Sequence, residues 1–292
     1  MQAFQYQPRA TCVCGELLGS SPSIIKKLAQ GSITFFQCAR CGSWIQSPQI
    51  TIESLKEWYD SDEYQGSANQ AGSIYLNYIR DEPHRVAEAQ NKYHRFFAPL
   101  IDSHSDILEI GCASASLLSV FKKHGHRVAG IDLSQRFASL AKELYDIDVH
   151  IVDLLSAQFT DASFDAILMF GTICNLVNLP ASLKKIHNLL KPQGRLIFNY
   201  PACNAWISRL YGEHFWMFTP SVSSFLSDQG CTAVLNHHEF QILRRQTDWQ
   251  QPSFSKLMLH ARFKHFLRYV PQKHLPCLIP IPTIRLVAAI KQ

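Results

Sequence analysis

The chain offers no apolar run long enough to cross a bilayer. Its longest candidate, Leu275 to Ile290, is broken by Pro276, Pro280, Pro282 and Arg285, where a spanning helix needs about 20 apolar residues. The N-terminal MQAFQYQPRA lacks an apolar core and a cleavage site, so no signal peptide is expected. A disulfide framework is missing too. The nine cysteines fall at uneven spacings, the pattern of reduced thiols and a metal site, and a cytoplasmic protein is the expectation. Charge is sparse, 17% of residues against 47% hydrophobic, which excludes a disordered chain. Acid is absent from Ser253 to Gln292, where seven Lys or Arg sit, leaving 21 basic against 23 acidic residues elsewhere. The net charge of +5 therefore belongs to the tail, which argues against a protein generally coated with nucleic acid. No histidine precedes His84, so any metal site in residues 1–50 has only thiolates to use.

Three stretches differ in composition. Residues 1–50 hold four cysteines in two pairs, TCVCG and QCARCG. Residues 51–104 read as helical: TIESLKEWY, a polar gap from Gln65 to Gly72, then a longer run ending at FFAPL. From 105 onward strands alternate with helices: DILEIG, SLLSVFKKHG, RVAGID, SQRFASLAKELY, VHIVDL, FDAILMFG, ASLKKIHNLLK and RLIFNYP. That beat predicts an α/β domain over 105–292, a Rossmann-like, mostly parallel sheet with helices on both faces. The helix ASLKKIHNLLK is expected to stop at Pro192 and Gly194, and His237 and His238 to lie in a sixth strand. Ligands in such sheets bind at the C-terminal strand ends, which points to DILEIGCASASLL, Asp106 to Leu118.

A dinucleotide fingerprint would place glycines at 111, 113 and 116, because a pyrophosphate presses on the loop backbone. The chain has Gly111, Ala113 and Ser116, a poor fit for a dinucleotide oxidoreductase. S-adenosylmethionine (SAM) has no phosphates and brings only an amino-acid end to this loop. Two acids then fall into place. Asp132 ends the second strand, where a carboxylate can accept both ribose hydroxyl protons, and Asp153 ends the third, beside an adenine amino group. With EIGCASA, GID, VDLL, FTDASFDAILMFG and LKKIHNLLKPQGRLIFNYP in this order, Asp106 to Pro201 resembles the class I SAM-dependent methyltransferases. The resemblance implies a SAM site with Glu109 near the methionyl end and Gly111 and Ala113 in the loop. It implies Asp132 and Leu133 at the ribose, Asp153 and Leu154 at the adenine, and Phe170 after the fourth strand. The family usually has glycine at Ala113 and Ala115, so a tighter loop is expected here.

Methyl transfer from SAM mainly requires alignment and exclusion of water. A hydroxyl acceptor additionally needs a base. Where many relatives carry histidine after the fourth strand, GTICNLVNLP has Asn175, an amide that orients but accepts no proton at neutral pH. His214 in YGEHFWMFTP is the substitute candidate, with a packing histidine as the alternative reading. Cys12, Cys14, Cys38 and Cys41 match an all-thiolate structural zinc site of ribbon type, one pair being a residue shorter than usual. Four buried thiols without metal are the alternative. The ribbon followed by SPQITIESLKEWYDSDEYQ resembles a bacterial methyltransferase group whose members often modify sugars, glycolipids or other small metabolites. The expectation is a ribbon over 1–50, a helical segment over 51–104 capping the SAM site, and methyl transfer to a small-molecule or glycan/lipid-linked acceptor. A non-catalytic SAM-binding module and an RNA methyltransferase are competing readings. The basic insertion near 253–270, SFSKLMLHARFKHFLRYV, reads as a lid over the acceptor side or as a peripheral contact with an anionic membrane.

Overall fold

Two glycine-marked knuckles turn the N-terminal segment back on itself. Gly15 and Gly42 each follow a cysteine pair with φ of 85° and 73°, a conformation glycine adopts without cost to a Cβ. The computed structural model describes residues 4–28, 31–65, 82–206, 208, 217–250 and 279–292. His214 and the basic insertion near 253–270 lie outside the described residues. In the N-terminal segment the strands are β1 (Tyr6–Gln7), β2 (Ile24–Leu28), β3 (Gly31–Gln37), β4 (Trp44–Gln46) and β5 (Gln49–Ile50). β1 pairs with β5, while β2, β3 and β4 form an antiparallel sheet. Three helices follow: α1 (Ile52–Asp60), α2 (Asp62–Gln65) and α3 (Glu82–Lys92). Thr51 caps α1 by accepting the Ser54 N–H. α3 runs into a π-helical turn, Tyr93–Phe97, that buries Tyr93, Phe96 and Phe97.

The alternating region then folds as its apolar runs imply. Its elements are β6 (Asp106–Ile110), α4 (Ser116–Lys123), β7 (Arg127–Asp132), α5 (Gln135–Tyr145), β8 (Val149–Ile151), β9 (Phe164–Met169), α6 (Leu179–Leu189) and β10 (Leu190–Pro201). Beyond them come β11 (Ser224–Phe225), α7 (Asp228–His237), β12 (Phe240–Gln250) and β13 (Ile279–Lys291). The main sheet has the order β12-β13-β10-β9-β6-β7-β8. β6 to β10 are mutually parallel, and β13 runs antiparallel between β10 and β12. One face buries Leu118, Phe121 and Ala141 under α3, α4 and α5. The other buries Leu183, Ile186, Val234 and Leu235 under α6 and α7. Each of these side chains removes apolar area from water at roughly 25 cal/mol per Å², and together they fix the sheet on which the loops sit.

Two local expectations need correction. His237 is the last residue of α7 and His238 its C-cap, so neither lies in the sixth strand, which starts at Phe240. Cys231, Val234 and Leu235 are buried at helical spacing, and the chain leaves the helix only where Glu239 takes φ of 59°. Likewise α6 ends at Leu189, so Pro192 and Gly194 lie within the irregular start of β10 rather than marking the helix end.

β11 ties the two ends of the molecule together. It adds to the N-terminal sheet beside β4, giving the order β11-β4-β3-β2. Ser227, which caps α7, donates its hydroxyl to the Cys41 carbonyl and its N–H to Ser43 Oγ at 3.0 Å. A Cβ on Gly230 would lie 2.1 Å from Ser43 Oγ, so only glycine lets the helix approach the second knuckle this closely.

Candidate active site

A cavity of 460 Å³ opens at the C-terminal ends of β6, β7 and β9, under α1 and α3. Its floor is the GCASAS loop. Gly111, Ala113 and Ala115 have φ of 70°, 46° and 60°, so the two alanines keep the left-handed backbone usual for glycine. Each costs of order 1 kcal/mol or more, and the loop is held by bonds that offset it. Asp132 Oδ2 accepts the Ala113 N–H at 2.8 Å, and its Oδ1 accepts the Ser134 N–H at 2.9 Å. Above the loop, buried Glu82 of α3 accepts the hydroxyls of Ser114 at 2.8 Å, Ser116 at 2.6 Å and Tyr145 at 2.5 Å. Arg85 pairs with Glu82 and reaches Ser114 Oγ at 2.9 Å. The serines of GCASAS thus clamp α3 onto the loop. Gly111 has no such latitude, because a Cβ there would meet Thr172 Oγ1 at 2.4 Å.

The carboxylates at the strand ends converge. Glu109, Asp132 and Asp153 all line the cavity, with Leu133, Leu154 and Phe170 between them. Burial, with the neighbouring Asp132 charge second, raises the Glu109 carboxyl well above the usual range. Its Oε2 is buried with no hydrogen-bond partner among the described residues, an acceptor in want of a donor. Burial also raises Asp132, against the opposing pull of three backbone N–H groups. The Ala113 and Ser134 N–H groups each take one lone pair on a different oxygen, and a carboxylate has about four lone-pair sites, so Asp132 keeps capacity for a ligand hydroxyl. α4 has no side-chain cap, its Ncap being Ala115, so its first-turn amides bring the helix's partial positive charge to the loop. Among the described residues the cavity is lined by four acidic side chains (Glu88, Glu109, Asp132, Asp153) and two basic ones (Arg85, Lys92).

Apolar side chains, Ile52, Leu55, Leu176, Met217 and Val222 among them, also wall the cavity. Asn175 lines it and donates Nδ2–H to the Gly171 carbonyl at 3.2 Å. Tyr59 of α1, which sequence reasoning missed, meets Asn175 and Ser221 there; burial holds its phenol protonated far above its ordinary range. The only sequence signal for it is a tyrosine at the end of EWYD, which helical periodicity alone does not single out.

Away from the cavity, the sulfurs of Cys12, Cys14, Cys38 and Cys41 lie within 4.8 Å of one another. Cys12 and Cys41 are 3.5 Å apart and Cys14 and Cys38 3.6 Å. Tetrahedral Zn–S bonds of about 2.3 Å place sulfurs about 3.8 Å apart, so the cluster fits a Zn²⁺ ion. Hydrogen bonding from Cys12, then from Ser43, lowers the Cys41 thiol to about 4.

Comparison with known proteins agrees with this geometry. A family profile described as a methyltransferase domain matches residues 78–244. Among curated proteins, the demethylmenaquinone methyltransferase of Tropheryma whipplei is 24% identical over 220 residues, 64% of this chain and 91% of that protein. The ubiquinone biosynthesis O-methyltransferase of Bradyrhizobium diazoefficiens is 25% identical, covering 54% of this chain and 63% of that one. A SAM-dependent methyltransferase structure from Archaeoglobus fulgidus superposes with a TM-score of 0.53 at 13% identity, over 73% of this chain and 99% of that one. One from Mesorhizobium loti gives 0.51 at 17%, over 70% and 100%. These structures share the fold, and the profile spans more than half of the sequence: the chain belongs to the methyltransferase-domain family and is a SAM-dependent methyltransferase.

Proposed function

We propose that the protein methylates a small-molecule acceptor, free or carried on a glycan or lipid, in the cavity beside Asn175 and Tyr59. The observation that carries this is one continuous cavity lined both by Glu109, Asp132 and Asp153 and by the apolar side chains Ile52, Leu55, Leu176, Met217 and Val222. That the two curated relatives are named for quinone-related reactions supports an acceptor of small-molecule size. SAM supplies an activated methyl group on a sulfonium that leaves as a neutral thioether. The chain's part is to bind, orient and exclude water. Asp132 would hold the ribose hydroxyls, Asp153 the adenine end, and Glu109 the methionyl ammonium. Asn175, oriented by the Gly171 carbonyl, and Tyr59, kept protonated by burial, would orient the acceptor by hydrogen bonds. His214 is the proposed base for a hydroxyl acceptor. The four cysteines would hold a structural zinc with no open position. No helix among the described residues is long and apolar enough to cross a membrane, and the eight described cysteines are free, which supports a cytoplasmic, reducing setting.

Glu109 gives a direct test. In the ligand-free site its raised pKa keeps a proton on the carboxyl to higher pH than an ordinary glutamate would. An ammonium placed beside it favours the ionised form and lowers that pKa. SAM binding should therefore release a fraction of one proton, most strongly between the bound and free pKa values. Calorimetry in two buffers of different ionisation enthalpy reads the release directly, and Glu109→Gln should abolish it. Identical enthalpies in both buffers for the unmodified protein would contradict this placement of Glu109.

A further inference from the structure

On the face of the sheet that carries α3, a recess of 200 Å³ lies between the π-helical turn and the edge strand β12. Lys92 lines both this recess and the large cavity. Two departures from regular structure shape it. The turn Tyr93–Phe97 buries Tyr93, Phe96 and Phe97 and leaves Arg95 exposed on the recess. On the strand side, the β12–β13 register slips between Ile242 and Arg244 and again between Thr247 and Asp248, and such bulges re-aim side chains. Arg245 turns toward α7, donating Nη2–H to Thr232 Oγ1 at 2.7 Å. Arg244 and Gln246, on the other face of the strand, line the recess. Arg244 Cζ stands 5.3 Å from the centre of the Phe96 ring, a contact that steadies the guanidinium. Trp249, 45% exposed, also lines the recess.

The charges on this lining differ in how they are matched. Lys92, 8% exposed, and Asp248, 0% exposed, form a buried ion pair. Lys92 Nζ lies 3.1 Å and 3.2 Å from the two Asp248 oxygens and 2.9 Å from Glu88 Oε1. Asp248 Oδ2 also accepts Asn199 Nδ2–H and Gln250 Nε2–H, each at 3.0 Å. Arg95 and Arg244, by contrast, pair with no carboxylate among the described residues. The stretch 251–278, which joins β12 to β13, contains five Lys or Arg and no Asp or Glu, so its composition supplies no counterion either. Like charges gathered at one recess repel, and two exposed guanidiniums are not needed to fill the core beneath. A bound dianion would turn that repulsion into attraction. A carboxylate occupies one guanidinium fork. A phosphate monoester carries about −1.5 to −2 charges near neutral pH and three acceptor oxygens, enough for both arginines at once.

We propose that this recess binds a dianionic phosphate group, carried by a soluble phosphate ester or by a lipid headgroup, between the guanidiniums of Arg95 and Arg244 with Gln246 as a further donor. The site stands beside the methyl-transfer cavity and does not rest on the cofactor reading. Inorganic phosphate and acetate are titrated into the full, isotope-labelled chain at mildly alkaline pH and constant ionic strength, and the arginine Nε–H signals are followed by NMR. Phosphate is expected to shift two of these signals, with acetate binding at least about tenfold more weakly. Arg95→Gln and Arg244→Gln should each remove one shifting signal and weaken phosphate about tenfold. Arg244→Lys keeps the charge but loses the fork, so it too should bind phosphate more weakly than the wild type. Lys184→Gln, which removes an exposed cation on α6 at the opposite face of the sheet, should bind phosphate as the wild type does. Acetate binding as tightly as phosphate, no phosphate binding at all, or an affinity unchanged in both glutamine variants would overturn the site. Co-sedimentation with phosphatidylcholine vesicles, with and without phosphatidic acid, separates the two sources. Retention that needs phosphatidic acid and is lost in both glutamine variants supports the site with a lipid headgroup as its ligand. Phosphate binding without such retention supports it with a soluble ester.

Discussion

Asp132→Ala should weaken SAM binding at least about tenfold, and more than any other single substitution at the site. Hydrogen bonds to a charged group contribute about 1.5–3 kcal/mol each, and about 1.4 kcal/mol is one decade in affinity. Two such bonds to ribose hydroxyls alone would exceed the tenfold mark. The structure adds a second cost. Asp132 also accepts the Ala113 N–H at 2.8 Å, and Ala113 is held at φ of 46°. Removing the carboxylate releases that strained residue, so the loop loses its shape as well as its ligand contact. Asp132→Asn retains an oxygen to accept one N–H and should fall between the wild type and alanine. Calorimetric titration of the three proteins checks the order, and an unchanged affinity in Asp132→Ala would falsify the ribose assignment.

Stripping metal from the cysteine cluster should loosen more than the N-terminal segment. Structural zinc in small sites contributes apparent binding free energies of about 10–16 kcal/mol at neutral pH, coupled to folding. Short strands such as β2 to β4 have little else to hold them. Because β11 completes their sheet and Ser227 bonds to Cys41 and Ser43, the loss should spread to 224–231. Val222 and Ser223 adjoin that segment; Val222 lines the cavity, and Ser223 bonds to the Cys174 and Leu176 carbonyls. Hydrogen exchange with and without a strong chelator, and on Cys41→Ser, should show protection lost in 31–46 and 224–231 but retained in β6 to β10. Zinc-free protein purified under reducing conditions, or exchange unchanged by the chelator, would end the metal proposal.

The parallel core was legible because strands buried on both faces leave continuous apolar runs, as in FDAILM and LIFNY. The acids at 109, 132 and 153 were legible because each ends a strand in a regular beat, and all three line one cavity. What joins them was not. The Glu82 clamp on Ser114 and Ser116 spans more than thirty residues, and the Lys92–Asp248 pair spans 156. Neither leaves a periodic trace, since a buried charge is placed by tertiary partners that local pattern does not encode. The same holds for β11, whose two residues join a sheet built nearly 180 residues earlier. His237 and His238 were misplaced for a different reason. The run TAVLNHHEFQIL is apolar enough for strand or helix, and the buried spacing of Cys231, Val234 and Leu235 decided for the helix.

The most direct test of the SAM site is native mass spectrometry of the purified chain mixed with equal concentrations of SAM and NADH. The carboxylates and the left-handed alanine loop predict one SAM bound per chain and no NADH, with the SAM signal lost in Asp132→Ala. A chain that carried NADH in preference, or kept SAM undiminished without Asp132, would contradict the account.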